Sequence, residues 1–124
     1  MKWITIAAAI EAAATSFVLL AAPLLFGRLI FGADLSESGQ ALGRLTGIVL
    51  LGFALTAWPR PAARSITRAL LAYNLLATAY LCYLGIAATS VGILLWPTVV
   101  LHLALTILLV FDRATAVETS DSNA

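Results

Sequence analysis

Three side chains in this sequence have the chemistry to hold a proton or grip a polar ligand from within apolar surroundings: Glu11, Asn74 and His102. Glu11 sits in AAAIEAAATS, Asn74 in LLAYNLLATA and His102 in VVLHLALT. A carboxylate and an imidazole can share one proton, and an amide can donate and accept hydrogen bonds at once. An ionisable group near the centre of a bilayer costs roughly 2.5–3.5 kcal/mol on insertion scales, so an acid placed there is expected to have a partner, a polar cavity or a task. The trio matches no catalytic triad, because no nucleophile stands at a usable spacing from it. One His and one Glu also fall short of the three or four ligands of a zinc site, and bis-histidine haem would need a symmetric dimer, so no metal and no cofactor is expected.

The elements that must position these residues are set by composition. The 124 residues are 62% hydrophobic and 10% charged, with a mean hydropathy of +1.03, whereas an ordinary soluble domain carries about 25% charged residues. Four apolar runs, about 3–26, 41–58, 66–88 and 92–111, each approach the roughly 20 residues that cross a bilayer as a helix. They predict a single all-α membrane domain, an integral four-helix bundle, with a polar, frayed tail over 112–124. No stretch remains for a soluble catalytic or nucleotide-binding unit. A formal net charge of +1 offers nucleic acid no electrostatic footprint. The start, MKWITIAAAI, is too long in its apolar run and carries Glu11 too centrally for a signal peptide.

Helical spacing orients the candidates. Ala7, Ala8, Glu11, Ala14, Thr15, Val18 and Ala22 form one small-residue face on the first helix, suited to close packing in lipid. The third helix has a polar stripe of Thr67, Asn74, Thr78 and Gly85 and an aromatic set of Tyr73, Tyr80 and Tyr83; Cys82, the sole cysteine, reads as packing. On the fourth helix Thr98, His102 and Thr106 follow at i+4 steps, and Pro97 one turn before His102 predicts a kink. Gly43 and Gly47 make a G-x-x-x-G step, which serves either a seam with another copy or membrane protein, or close packing inside one bundle; the second is expected.

Connections and charge give the topology. Pro23 bends or ends the first helix, Asp34 with Glu37 suits an N-cap and its capping-box partner, and Trp58-Pro59-Arg60-Pro61 stops the second helix. Lys2, Arg60, Arg64, Arg68 and Arg113 fall on one side against Arg28 and Arg44 on the other, which by the positive-inside rule puts both termini in the cytoplasm of a bacterial inner membrane. At a rise of about 1.5 Å per residue, Glu11, Asn74 and His102 then share a depth roughly 12–14 Å from the cytoplasmic boundary. The simplest function for that layer is cohesion, tying helices one, three and four; the alternative is a proton-handling site.

Two resemblances bear on these alternatives. With GRLTGIVLLGFALTAWP on the second helix and HLALTILL on the fourth, the chain resembles the DoxX-like group of small four-helix bacterial membrane proteins. That likeness implies membrane residence and, for some members, association with quinone or thiol redox systems. The single acid in the first helix is also similar to that of the small multidrug resistance transporters, where it exchanges protons for a cationic substrate across an antiparallel dimer. The sequence departs from that pattern: no lysine ends the first helix, the 27–40 loop is longer, and the Arg bias opposes dual insertion. The expectation is therefore a non-enzymatic or accessory protein of the lipid bilayer. The alternatives are a proton-coupled transporter using Glu11 and a redox-associated subunit with a quinone pocket near Tyr73, Tyr80 and Tyr83.

Overall fold

The computed structural model describes residues 2–58 and 64–121, with side chains over 3–58 and 64–113. Among them there is no strand. The elements are α1 (Lys2–Ala21), α2 (Pro23–Phe26), a π turn (Gly27–Phe31), α3 (Glu37–Ala57), α4 (Arg64–Ala87) and α5 (Leu95–Asp121). Four of these helices, α1, α3, α4 and α5, are long and apolar enough to cross a membrane. Their outer faces agree with that reading: Phe17, Leu45, Ile48, Val49, Leu76, Ile86 and Val100 are all exposed. A protein in water rarely tolerates so much contiguous apolar surface.

The first apolar run is not one helix. Ala22, at φ −144 and ψ 63, leaves the α region because Pro23 follows it, and the chain restarts with Pro23 at the N-terminus of α2. The π turn then ends at Gly32, whose φ of +71 is left-handed.

Three further expectations are corrected. Asp34 does not cap the next helix. Ser36 does, accepting from the Gly39 N–H at 3.1 Å, while Asp34 is taken by the Arg28 guanidinium (Nη2 to Oδ2 3.2 Å, with Nε on Oδ1), so α3 opens at Glu37 rather than near 41. Pro97 produces no mid-helix break: α5 begins at Leu95, so Pro97 stands in the first turn, where the missing N–H has no intrahelical partner to lose. The tail is also more ordered than its polarity implied, since α5 runs on to Asp121; no Gly or Pro interrupts DRATAVETSD. Pro59, Arg60 and Pro61 lie outside the described residues.

The helices pair as α1 with α3 and α4 with α5. Gly47 lets α1 approach α3 closely: a Cβ there would lie 2.9 Å from Leu20 and 3.0 Å from the Ser16 carbonyl. Ser16 Oγ donates to the Gly47 carbonyl at 2.6 Å in the same seam. Gly43 faces Leu19 and Pro23, so both glycines serve packing against α1. Gly85 plays the corresponding part between α4 and α5, beneath Trp96 and Leu95.

The two pairs are joined differently at their two ends. At the end carrying the N-terminus, Ile4, Ala8, Ala9, Ala57, Leu70, Leu105 and Leu109 form one packed core drawn from all four long helices. At the opposite end the join is made by backbone. The Leu29 carbonyl accepts from Leu94 N–H at 2.8 Å and the Ile30 carbonyl from Gly92 N–H at 3.0 Å. Carbonyls at the C-terminal end of the π turn thus meet amide donors just ahead of α5, and groups that helix ends leave over satisfy one another. The approach demands glycine at 92, because a Cβ there would stand 2.1 Å from the Leu29 oxygen.

Candidate functional site

Asn74, on the inward stripe of α4, is fully buried. Its Nδ2 donates to the Leu70 carbonyl one turn back at 2.9 Å, which fixes the amide with Oδ1 turned toward α5. There Oδ1 lies 2.8 Å from His102 Nδ1. A carbonyl oxygen can only accept, so this contact places the imidazole hydrogen on Nδ1. Nε2 is then the free end of the ring, and it faces Glu11 Oε1 at 3.6 Å. That separation is too long for a hydrogen bond, and with its one hydrogen on Nδ1 the neutral ring offers the carboxyl no charge; the two groups pair as ions only when Nε2 is protonated as well. Thr15, one turn along α1, donates its hydroxyl to the same Oε1 at 2.9 Å. Glu11 Oε2 is buried without a hydrogen-bond partner among the described residues.

The structure therefore brings Glu11, Asn74 and His102 into one layer spanning α1, α4 and α5. Two threonines that the helical spacing associates with it are spent locally. Thr106 Oγ1 donates to the His102 carbonyl and Thr78 Oγ1 to the Asn74 carbonyl, both at 2.8 Å, so neither hydroxyl is offered to a ligand. Thr106 lies on the packed side of the layer; the correction is that it supports the helix and does not face a binding space.

On the other side of the layer the helix pairs separate around a cavity of about 650 Å³. Its wall is formed by Thr15, Val18 and Leu19 of α1, Phe26 and Phe31 at the turn, Leu42, Gly43 and Thr46 of α3, Tyr73, Ala77 and Tyr80 of α4, Leu94 just ahead of α5, and Thr98 and His102 of α5. Phe26 and Phe31 pack edge to face, centroids 5.7 Å apart, against its far end. Tyr73 stands at the near end, with its ring perpendicular to both Phe53 (5.9 Å) and His102 (5.5 Å). Glu11 and Asn74 do not line the space; Thr15 and His102 stand between them and it.

Of the three tyrosines, Tyr73 and Tyr80 line the cavity and Tyr83 does not. At 100° per residue Tyr80 is turned only about 20° from Tyr73, whereas Tyr83 is turned about 80°. Thr98 lines the cavity and makes no side-chain hydrogen bond among the described residues. The space is open to the surface: Val18 of α1, Leu42 and Thr46 of α3, Tyr80 of α4 and Leu94 line it and are also exposed. Sequence reasoning offered a pocket near the tyrosines only as an alternative, and missed the clasp at Gly92 and the role of Thr15. Only Thr15 had a signal, its i+4 spacing from Glu11 on an inward face.

Among the described residues no three of His, Cys, Asp and Glu come together as a metal site would require. Comparison with protein-family models, curated proteins and solved structures finds no match to this chain.

Proposed function

We propose that this chain is a non-enzymatic, multi-pass membrane protein that binds a lipophilic ligand between its two helix pairs, with the Glu11–His102–Asn74 layer acting as the floor that holds the pairs in register. The cavity carries this reading. Its volume falls within the roughly 300–1,000 Å³ of sites that take one small molecule, its wall is mostly apolar and aromatic, and a few polar groups gather at one end. Buried helix-spanning hydrogen bonds average only about 0.6 kcal/mol in membrane proteins, yet they fix which helix faces which. For orientation, Arg64, Arg68 and Arg113 lie at the packed end and Arg28 and Arg44 at the clasp end, which supports a bacterial inner membrane with both termini cytoplasmic.

The test is to fill the space. Ala77 is half-buried and lines the cavity, so Ala77→Trp is expected to abolish binding of a lipophilic fluorescent probe by the full chain in nanodiscs while leaving the thermal midpoint within about 2 °C. Retained probe binding in a folded Ala77→Trp protein overturns the proposal.

A second reading, proton-coupled transport, draws on the 3.6 Å approach of Glu11 to the free nitrogen of His102 directly behind the cavity wall. Glu11→Gln separates the two. On the structural reading it shifts stability by about 1 kcal/mol and leaves ligand binding proton-neutral. If the variant folds and ligand-dependent proton release, present in the wild type, is lost, transport is the better account.

A further inference from the structure

The cavity is uncharged throughout: no Lys, Arg, Asp or Glu is among the residues that line it, and Glu11 is screened from it by Thr15 and His102. Its polar groups differ in what they have left to give. Thr15 has committed its hydroxyl hydrogen to Glu11 and Thr46 to the Leu42 carbonyl, and His102 Nδ1–H is directed at Asn74. Tyr73, Tyr80 and Thr98 have not; among the described residues none of these side chains makes a hydrogen bond, and all three line the space, Tyr80 at an exposed position. The near end, at Tyr73, therefore offers a hydroxyl donor and no formal charge, Thr98 offers a second one turn from His102, and the wall at Phe26, Phe31 and Leu94 offers only hydrocarbon.

From this we infer that the occupant is a neutral, single-tailed lipophile whose head carries a carbonyl or similar hydrogen-bond acceptor, held by the hydroxyls of Tyr73 and Thr98 with its tail running past Phe26 and Phe31. The inference rests on the binding reading above and narrows it. A cationic head would enter an apolar space with no carboxylate on its wall, and an anionic head would meet no cation; burying either charge unpaired is strongly unfavourable. A neutral acceptor leaves no charge to compensate and uses donors that otherwise stay idle in the wall. Leu42 of α3 and Tyr80 of α4 line the space, are exposed, and lie within helices long and apolar enough to cross a membrane, so such a molecule would enter from the bilayer. A whole two-tailed phospholipid is larger than the space.

The experiment uses the full chain in phosphatidylcholine nanodiscs and a diazirine-tagged hexadecan-2-one as photolabel, mapped by peptide mass. Untagged hexadecan-2-one, hexadecanoate, hexadecyltrimethylammonium and hexadecane serve as competitors. Labelling is expected on peptides of α1, α4 and α5 that line the cavity, with the ketone competing about tenfold better than the other three, the effect of one hydrogen bond to an otherwise unpaired donor. Tyr73→Phe combined with Thr98→Val is expected to remove that advantage and leave hexadecane competition unchanged. Stronger competition by the ammonium or the acid overturns the neutral-head assignment. Equal competition by all four, hexadecane included, also overturns it, marking a cleft filled by any chain, while lipophile binding itself stands. Absence of label from the cavity peptides overturns the binding reading as well. The wild-type competition series decides the matter even if the double variant does not fold.

Discussion

The two ends of the bundle solve the same problem, joining an α1–α3 pair to an α4–α5 pair, by opposite means. At the packed end the join is side chains: Ile4, Ala8, Leu70, Leu105 and Leu109 belong to one buried cluster. At the clasp end it is two backbone hydrogen bonds around Gly92, and the side chains stand apart around about 650 Å³. In lipid the hydrophobic effect does not drive helices together, so cohesion has to come from close packing and hydrogen bonding. The packed end spends its small residues on contact. The clasp end adds main-chain hydrogen bonds to a few buried side chains, Ile30 and Leu95 among them, and keeps a cavity beside them.

Paired truncations test this contrast most severely. Leu109→Ala, at a fully buried position, is expected to destabilise the protein by about 2–3 kcal/mol, whereas Leu81→Ala, on the cavity wall, costs less than about 1 kcal/mol. Unfolding in mixed micelles under increasing denaturing detergent measures both; equal losses would mean that the two ends are packed alike. Next in size is Gly92→Ala. A methyl group at 2.1 Å from the Leu29 oxygen forces the clasp apart, and loss of its two hydrogen bonds is expected to cost about 2 kcal/mol and to raise amide exchange at Gly92 and Leu94 while the packed end stays protected.

The smallest effect belongs to the exposed Arg28–Asp34 pair beside the clasp. The hydrogen bonds from Arg28 hold the Asp34 carboxyl below the ordinary carboxylate range. A lowered folded-state value means that the stabilisation is complete above the unfolded carboxylate value of about 4 and is lost as the pH falls through the folded one. Asp34→Asn is therefore expected to lower the thermal midpoint slightly at neutral pH and not at all in strong acid. A difference that persists in acid assigns the effect to something other than the charge pair.

The parts of this fold legible in the sequence are those written in periodicity and length. Four apolar runs and a shared layer for Glu11, Asn74 and His102 follow from 3.6 residues per turn and 1.5 Å per residue, and the three side chains meet in one layer with contacts of 2.8 Å and 3.6 Å. Contacts made by backbone were not legible. The Leu29 and Ile30 carbonyls carry no signature in their side chains, and Gly92 reads like any loop glycine until the segment opposite it is known. The choice of Ser36 over Asp34 as cap was settled by a competing partner, Arg28, six residues before the acid. The cavity is a shape left between helices, which no single helix's pattern encodes.

The layer also has a consequence for how the chain is made. Glu11 is translated roughly 90 residues before His102, which at a synthesis rate of about 5–20 residues per second is an interval of about 5–20 s. Throughout that wait α1 can pair with α3 through Ser16 and the glycine seam, but among the partners seen in the folded layer Glu11 has only Thr15, its neighbour one turn away. The first helix therefore waits with its acid incompletely matched until α5 follows. The imidazole of the layer and, just ahead of α5, the amide donors of the clasp come late in the described chain, so the cavity between the helix pairs cannot form until α5 has been made.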